Sequence, residues 1–294
     1  MHHSTMIAAL ALFVTSAAVE AASIQDTGHD AVTTPGRTVE VSAKFERAGW
    51  RFWRPDVQDA PVTFRLAGQT YPARTDRDGV ATIQVRANAA GVVPIEAWLD
   101  GTPSTLARSR LFVLEPTRPV AVVDIDGTIS ALPDLLVPIL GHKAKTYPGA
   151  PELLRDLALT HTIVYLTARD DAFDKKSRVF LARHRFPDGP VLFNDLGLTS
   201  KSEVQQLKSK NHAAFKLEVI LGLKQDQGLR VALGIGNAET DAEAYERAGL
   251  PSYIHTKKAA PGTSFRFREY PELRAKLVAD GVLGAGVGVV ASIP

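Results

Sequence analysis

Val120-Ala121-Val122-Val123-Asp124-Ile125-Asp126-Gly127-Thr128-Ile129 is the stretch whose reading decides the fold. Its apolar, β-branched opening reads as a short strand buried on both faces of a parallel sheet. The strand ends in two aspartates two positions apart, followed by a glycine that lets the chain turn sharply. Ligands of open α/β sheets bind outside the carboxyl ends of the strands. Two carboxylates planted there, with no lysine or arginine beside them, repel each other unless a cation lies between. Oxygen donors of that kind suit Mg²⁺.

Two further apolar runs read as companion strands. Thr162-Ile163-Val164-Tyr165-Leu166 ends at Thr167-Ala168-Arg169-Asp170, after a helical segment at Pro151–Leu159. Leu229-Arg230-Val231-Ala232-Leu233-Gly234-Ile235 runs into Gly236-Asn237-Ala238-Glu239-Thr240-Asp241. Asn237 and Asp241 lie four apart, so a helix starting between them turns both toward the strand ends. A plain helix cap with acidic residues in its first turn would read the same way.

Asp124-x-Asp126-x-Thr128 resembles the first motif of the haloacid dehalogenase (HAD) phosphatase superfamily. The segment Gly236-Asn237-Ala238-Glu239-Thr240-Asp241-Ala242-Glu243-Ala244-Tyr245, ending in Ala248-Gly249-Leu250-Pro251, resembles the lipin pattern, whose asparagine replaces the aspartate of most HAD phosphatases. Tyr165-Leu166-Thr167-Ala168-Arg169, Pro187-Asp188-Gly189-Pro190-Val191-Leu192 and Phe215-Lys216 resemble further lipin segments, over about Val120 to His255.

The resemblance implies a Mg²⁺-dependent phosphatidate phosphatase. Asp124 would be the nucleophile that forms an aspartyl-phosphate, and Asp126 the general acid, then base. Thr167 would hydrogen-bond the phosphoryl oxygens, with Thr128, Ala168 and Arg169 also at the substrate. Arg169 either aims at the phosphate or pairs with Asp170 or Asp171. The metal would be held by Asp124, the backbone carbonyl of Asp126, Asn237 and Asp241. A lysine is needed to neutralise nucleophile and phosphate. Of Lys201, Lys208, Lys210 and Lys216, the last is chosen, because it follows Phe215 and opens the apolar run Leu217-Glu218-Val219-Ile220-Leu221. Related domains of phosphatidylinositol-transfer proteins bind phosphatidic acid without catalysis, having lost the first aspartate. Asp124 is present here.

The rest of the chain reads differently. From about Thr38 to Val113, alternating segments such as Thr38–Lys44, Pro61–Leu66 and Val80–Val85 are separated by turn signals at Asp76-Arg77-Asp78-Gly79 and Asp100-Gly101. Short strands at this spacing argue an all-β sandwich, and Thr75-Asp76-x-x-Gly79-Val80-Ala81 resembles bacterial immunoglobulin-like modules. Trp50, Trp53 and Trp98 are read as packing residues. Glu115-Pro116-Thr117-Arg118-Pro119, with two prolines, reads as the interdomain linker.

Met6–Ala18 is an apolar stretch of signal-peptide length, with Val19-Glu20-Ala21 offering cleavage after Ala21. With no cysteine among 294 residues, disulfides, thiol nucleophiles and cysteine-ligated zinc are excluded. A net charge of +2, without a basic-aromatic pattern, gives no argument for nucleic acid.

The expected organisation is a signal peptide at 1–21, an immunoglobulin-like sandwich at 33–115, an α/β HAD-like domain (a Rossmann-like parallel sheet with flanking helices) at 118–280, and an apolar Gly-rich tail at 281–294. The expected function is an exported Mg²⁺-dependent phosphomonoesterase acting on phosphatidic acid at a membrane surface. The alternatives are a phosphatase of a soluble metabolite and a non-catalytic phospholipid-binding module. Ile129–Leu140, edged by His142, Lys143 and Lys145, would be a lipid-facing flap over the site, or else core packing. Every proposed catalytic residue lies beyond the linker, so the second domain alone is expected to carry the activity.

Overall fold

The computed structural model describes residues 24–47, 54–131, 144–194, 210–258 and 262–284. The expected leader, Trp50, Trp53, residues 132–140 of the expected flap with His142 and Lys143, Lys201, Lys208 and tail residues 285–294 lie outside them, whereas Ile129, at the start of that flap, is a buried core residue. Among the described residues, no helix is long and apolar enough to cross a membrane.

The first unit comprises β1 (Ile24–Gly28), β2 (Ala31–Thr33), β3 (Thr38–Arg47), β4 (Pro61–Leu66), β5 (Gln69–Arg74), β6 (Val80–Arg86), β7 (Gly91–Leu99) and β8 (Thr102–Val113). They form a three-stranded sheet, β1-β3-β6, and a five-stranded sheet, β2-β8-β7-β4-β5. Period-two alternation turns Val62, Phe64 and Leu66 of one sheet toward Val41, Phe45 and Ile83 of the other, giving a sandwich with one shared core. Ile24–Thr33, ahead of the expected boundary at 33, belongs to it: β1 pairs with β3 and β2 with β8.

The second unit runs β9 (Val120–Val123), α1 (Ala150–Leu157), β10 (Thr162–Asp170), α2 (Asp174–Arg183), β11 (Val191–Asn194), α3 (Lys210–Leu221), β12 (Val231–Gly236), α4 (Glu239–Arg247), β13 (Ser252–His255), β14 (Phe265–Phe267) and α5 (Tyr270–Ala279). Its sheet has the order β11-β10-β9-β12-β13-β14, and every pairing is parallel.

The sheet is covered on both faces, which is why β9 carries no polar residue. Ala121 and Val123 face a layer formed by Leu153 and Leu157 of α1, Phe180 of α2 and Leu273 of α5. Val120 and Val122 face Ile220 of α3 and Ala242 and Tyr245 of α4. That second layer also takes in Val32 of β2 and Phe112 of β8, so the sandwich shares a hydrophobic contact with the α/β unit.

Candidate active site

Strand order reverses at β9: the chain leaves it toward β10 and β11, then returns to its other side at β12. A crevice at the carboxyl ends of β9 and β12 is the expected consequence. Asp124 stands there, only 4% exposed. Its Oδ1 accepts from Lys216 Nζ at 2.7 Å and its Oδ2 from Thr128 Oγ1 at 2.8 Å. Burial pushes the Asp124 carboxyl up to about 7, with Lys216 opposing the rise and the charges of Asp241 and Asp126 adding to it.

Lys216 projects from α3 and is itself buried. It also donates to Asp241 Oδ1 at 2.5 Å. Burial disfavours its charge, but the two carboxylates outweigh that and hold its ammonium well above the ordinary lysine value.

The turn after β9 is tight. Gly127 has φ +70°, a conformation that side-chain-bearing residues rarely adopt, and a Cβ there would stand 2.1 Å from Asn237 Nδ2 and displace that amide. Two residues without any motif signal brace the turn: the Tyr270 hydroxyl donates to Thr128 O at 2.7 Å, and His255 Nδ1 lies 3.0 Å from Gly127 O.

Asp126, the second aspartate of the motif, faces the β10 side. Arg169 grips it, Nε donating to Oδ2 at 2.9 Å and a second guanidinium nitrogen donating to Oδ1. Thr167 Oγ1 lies 3.4 Å from the same Oδ2 and accepts the Arg169 backbone N–H at 3.2 Å. The remaining guanidinium nitrogen donates to Ser177 Oγ on α2 at 2.6 Å. Asp171 is engaged elsewhere, with His29. Ala168 sits between Thr167 and Arg169 on β10 and brings no polar side-chain group.

Asp241 has a different placement from Asn237. Its Oδ2 accepts the backbone N–H groups of Asn237 and Ala238 at 2.9 and 3.0 Å, while its Oδ1 holds Lys216. Gly236 makes room for this fold-back, because a Cβ there would lie 2.5 Å from Asp241 Cβ. Asn237 Oδ1 instead points to the crevice, 3.3 Å from the Thr128 hydroxyl that also bonds Asp124. Among the described residues, no group of three or more His, Cys, Asp or Glu side chains is placed to hold a metal. The oxygens of Asp124 and Asn237, converging on one hydroxyl, are nevertheless hard donors that fit Mg²⁺. When all three carboxyls (Asp124, Asp126, Asp241) are ionised they face two cations (Lys216, Arg169), an excess of one negative charge before any phosphate arrives. A dication answers that excess.

Beside this cluster opens a cavity of about 770 Å³, bordered by Gly127, Asn237, Tyr147, His255, Lys257 and Arg268.

Fold and site thus define a parallel α/β domain with paired aspartates, a buried lysine and an arginine at its strand ends. Residues 121–256 match the sequence model of the LNS2 domain of PITM 1-3. The chain is 30% identical over 225 residues to membrane-associated phosphatidylinositol transfer protein 3 of Homo sapiens, covering 76% of this chain and 20% of that protein. It is 26% identical over 168 residues to phosphatidic acid phosphohydrolase 1 of Saccharomyces cerevisiae, covering 50% of this chain and 19% of that protein. The chain therefore spans about a fifth of the length of these curated relatives. Among solved structures, D,D-heptose 1,7-bisphosphate phosphatase from B. bronchiseptica, complexed with magnesium and phosphate, matches with a TM-score of 0.41 at 12% identity, covering 55% of this chain and 99% of that one.

Proposed function

We propose that this chain is a phosphomonoesterase acting through an aspartyl-phosphate, with phosphatidic acid as its substrate. The observation that carries the reading is the buried Asp124–Lys216 contact at 2.7 Å at the end of β9, with Asp126, two residues further on, held by Arg169.

Lys216 opposes the effect of burial on Asp124 and so favours the ionised carboxylate, the form that attacks phosphorus. As the Asp124 oxygen–phosphorus bond forms, the bond from phosphorus to the alcohol oxygen breaks. Asp126, which enters this step protonated, gives that oxygen its proton and is left as a carboxylate. Water, deprotonated by Asp126, then attacks the same phosphorus; phosphate leaves and Asp124 is restored. Thr167 and Arg169 both lie against Asp126, which supports a role for them in holding the phosphoryl oxygens, with Arg169 exchanging Asp126 for phosphate when substrate enters. Mg²⁺, held by Asp124, Asn237 and the Asp126 carbonyl, would supply charge neutralisation.

The phosphatidate assignment is supported by similarity to phosphatidic acid phosphohydrolase 1 and to the phosphatidylinositol transfer proteins. The same transfer-protein relatives favour a second reading, in which the domain binds a phospholipid without turnover. Within the enzyme reading, a soluble phosphorylated metabolite is the competing substrate. The leader read at 1–21 supports export, and the two-sheet architecture supports an immunoglobulin-like character for the sandwich.

Phosphate release should be measured with and without Mg²⁺, first from an aryl phosphate and then from phosphatidate in mixed micelles. Mg²⁺-dependent release from both, faster on phosphatidate, is expected. Release from the aryl phosphate alone would move the substrate to a soluble ester. Release from neither, with binding to phosphatidate vesicles, would establish the non-catalytic reading.

A further inference from the structure

Asp30 lies in the two-residue link between β1 and β2, in the sandwich, yet its buried carboxylate is bonded mainly to the α/β unit. Its Oδ1 accepts the backbone N–H of Arg110 on β8 at 2.9 Å. Its Oδ2 accepts from the Arg178 guanidinium on α2 at 2.8 Å and from the backbone N–H of Val191, first residue of β11, at 3.1 Å. One carboxylate thus ties a sandwich strand to a helix and a strand of the other unit. Arg178 is also held by both oxygens of Asp174 at the start of α2, at 2.7 and 2.9 Å. The neighbouring His29 anchors the loop between β10 and α2, with Nε2 at 2.7 Å from Asp171 Oδ2.

The residue before Arg178 is Ser177, fully buried, whose hydroxyl accepts from Arg169 at 2.6 Å while donating to Phe173 O at 3.0 Å. Arg169 spends its other guanidinium contacts on Asp126. An unbroken path of short contacts therefore runs from the sandwich through one turn of α2 to the proton-transferring carboxyl of the site. A guanidinium on a flexible stem has many rotamers, and its direction is decided by whatever holds its far nitrogens. Here that holder is Ser177, and the helix carrying Ser177 is seated by a charge from another domain.

We propose that Asp30 is a positioning residue for phosphoryl transfer: through Arg178 it seats α2, and through Ser177 it aims Arg169 at Asp126 and the incoming phosphate. The sandwich is then part of the catalytic apparatus and not a spacer. This rests on the phosphatase reading for its effect on rate, but its effect on phosphate binding does not depend on turnover.

The test is a double-mutant cycle between Asp30 and Arg169, which do not touch. Asp30→Asn, Arg169→Gln and the double variant are assayed for kcat/KM on a soluble aryl phosphate and for affinity toward inorganic phosphate by calorimetry. Misplacement of a positioning group by about an ångström costs up to about 10²-fold, so Asp30→Asn should lower kcat/KM by roughly 10- to 100-fold in the wild-type background. In the Arg169→Gln background the same change should cost less than about twofold, because nothing remains to be aimed. Ser177→Ala, which leaves the domain interface intact, should be similarly non-additive with Arg169→Gln. If Asp30→Asn fails to fold, Asp30→Glu, which keeps the charge but moves it outward, takes its place in the cycle. Equal losses in both backgrounds would overturn the proposal and leave Asp30 a general stabiliser. A wild-type chain that binds phosphate without hydrolysing any ester would refute the phosphatase reading, while coupling in the phosphate affinities would still decide the role of Asp30.

Discussion

Lys216→Met isolates the interaction on which the site depends. Lys216 is buried between two buried carboxylates, 2.7 Å from Asp124 and 2.5 Å from Asp241. Removing one partner of such a group strands uncompensated charge, which costs about 3–5 kcal/mol. At about 2–4 °C per kcal/mol for a unit of this size, thermal unfolding of the α/β domain should fall by roughly 6–20 °C. Asp241 retains its two backbone N–H donors, so Asp124 bears most of the loss. The pH dependence follows from its raised pKa. A carboxyl whose folded value lies near 7, above its unfolded value of about 3.9, contributes stability that is present below the lower figure and lost as pH rises through the upper one. Without Lys216 that upper value rises further, so at about pH 6 both proteins hold Asp124 largely protonated, whereas at about pH 8.5 only the wild type can ionise it against a compensating charge. The deficit relative to wild type should therefore be larger at the higher pH. Circular-dichroism melts of both proteins at the two pH values, in metal-free buffer, measure it. A Lys216→Met variant melting within about 2 °C of wild type at pH 8.5, or losing the same amount at both pH values, would refute the argument that Lys216 compensates Asp124.

Asp124→Asn should abolish turnover with the fold intact, since an amide forms no acyl-phosphate, and activity within about tenfold of wild type would refute the covalent route. Asp126→Asn should cost about 10²–10⁴-fold on a poor leaving group and less on an aryl phosphate, whose leaving oxygen needs less help from an acid. EDTA should silence the protein and Mg²⁺ restore it; Asn237→Ala should raise the Mg²⁺ concentration required, and an unchanged requirement would remove Asn237 from the metal shell. Gly127→Ala, which adds a Cβ 2.1 Å from Asn237 Nδ2 at φ +70°, should displace the catalytic turn and abolish activity; an active variant would show that the turn is plastic. A fragment beginning near Thr117 should lose solubility or activity, because uncovering the side chains packed against Val32 and Phe112 forfeits burial worth about 1.5–3 kcal/mol for each of the two residues. A soluble, fully active fragment would restore the sandwich to the status of a spacer.

The α/β unit was legible where local sequence and tertiary position demand the same residues. Val120–Val123 are apolar throughout because alternate residues face two covered sides of one sheet, and that requirement leaves its mark in the strand itself. Lys216 was legible as the lysine that follows Phe215 and opens an apolar run, which reads as a helix start near the sheet; it lies instead in the middle of α3 (Lys210–Leu221), where a buried charge needs its buried partner. Asn237 and Asp241 could be placed near the strand ends by their spacing, but not told apart. What separates them is that the Asp241 carboxylate folds back onto two backbone N–H groups while Asn237 Oδ1 points toward the crevice, a matter of rotamer with no trace in spacing. Arg169 had open alternatives near in sequence, Asp170 and Asp171. It is bound instead to Asp126 from another strand, and Asp171 is claimed by His29 of the other domain.

His255, Tyr270, Ser177 and Asp30 went unread because each acts across the fold on a backbone group or another side chain, where no periodicity or motif constrains it. They share one physical role. A short turn that crowds aspartates together must hold like charges without relaxing, so it has to be braced from outside the strand that carries it. Tyr270 and His255 brace it from α5 and β13, and Ser177 braces its arginine from α2. Of these braces, only α2 is itself seated by a buried charge from the sandwich. On the role proposed for Asp30, the first domain would bear on the site through α2 without lining it.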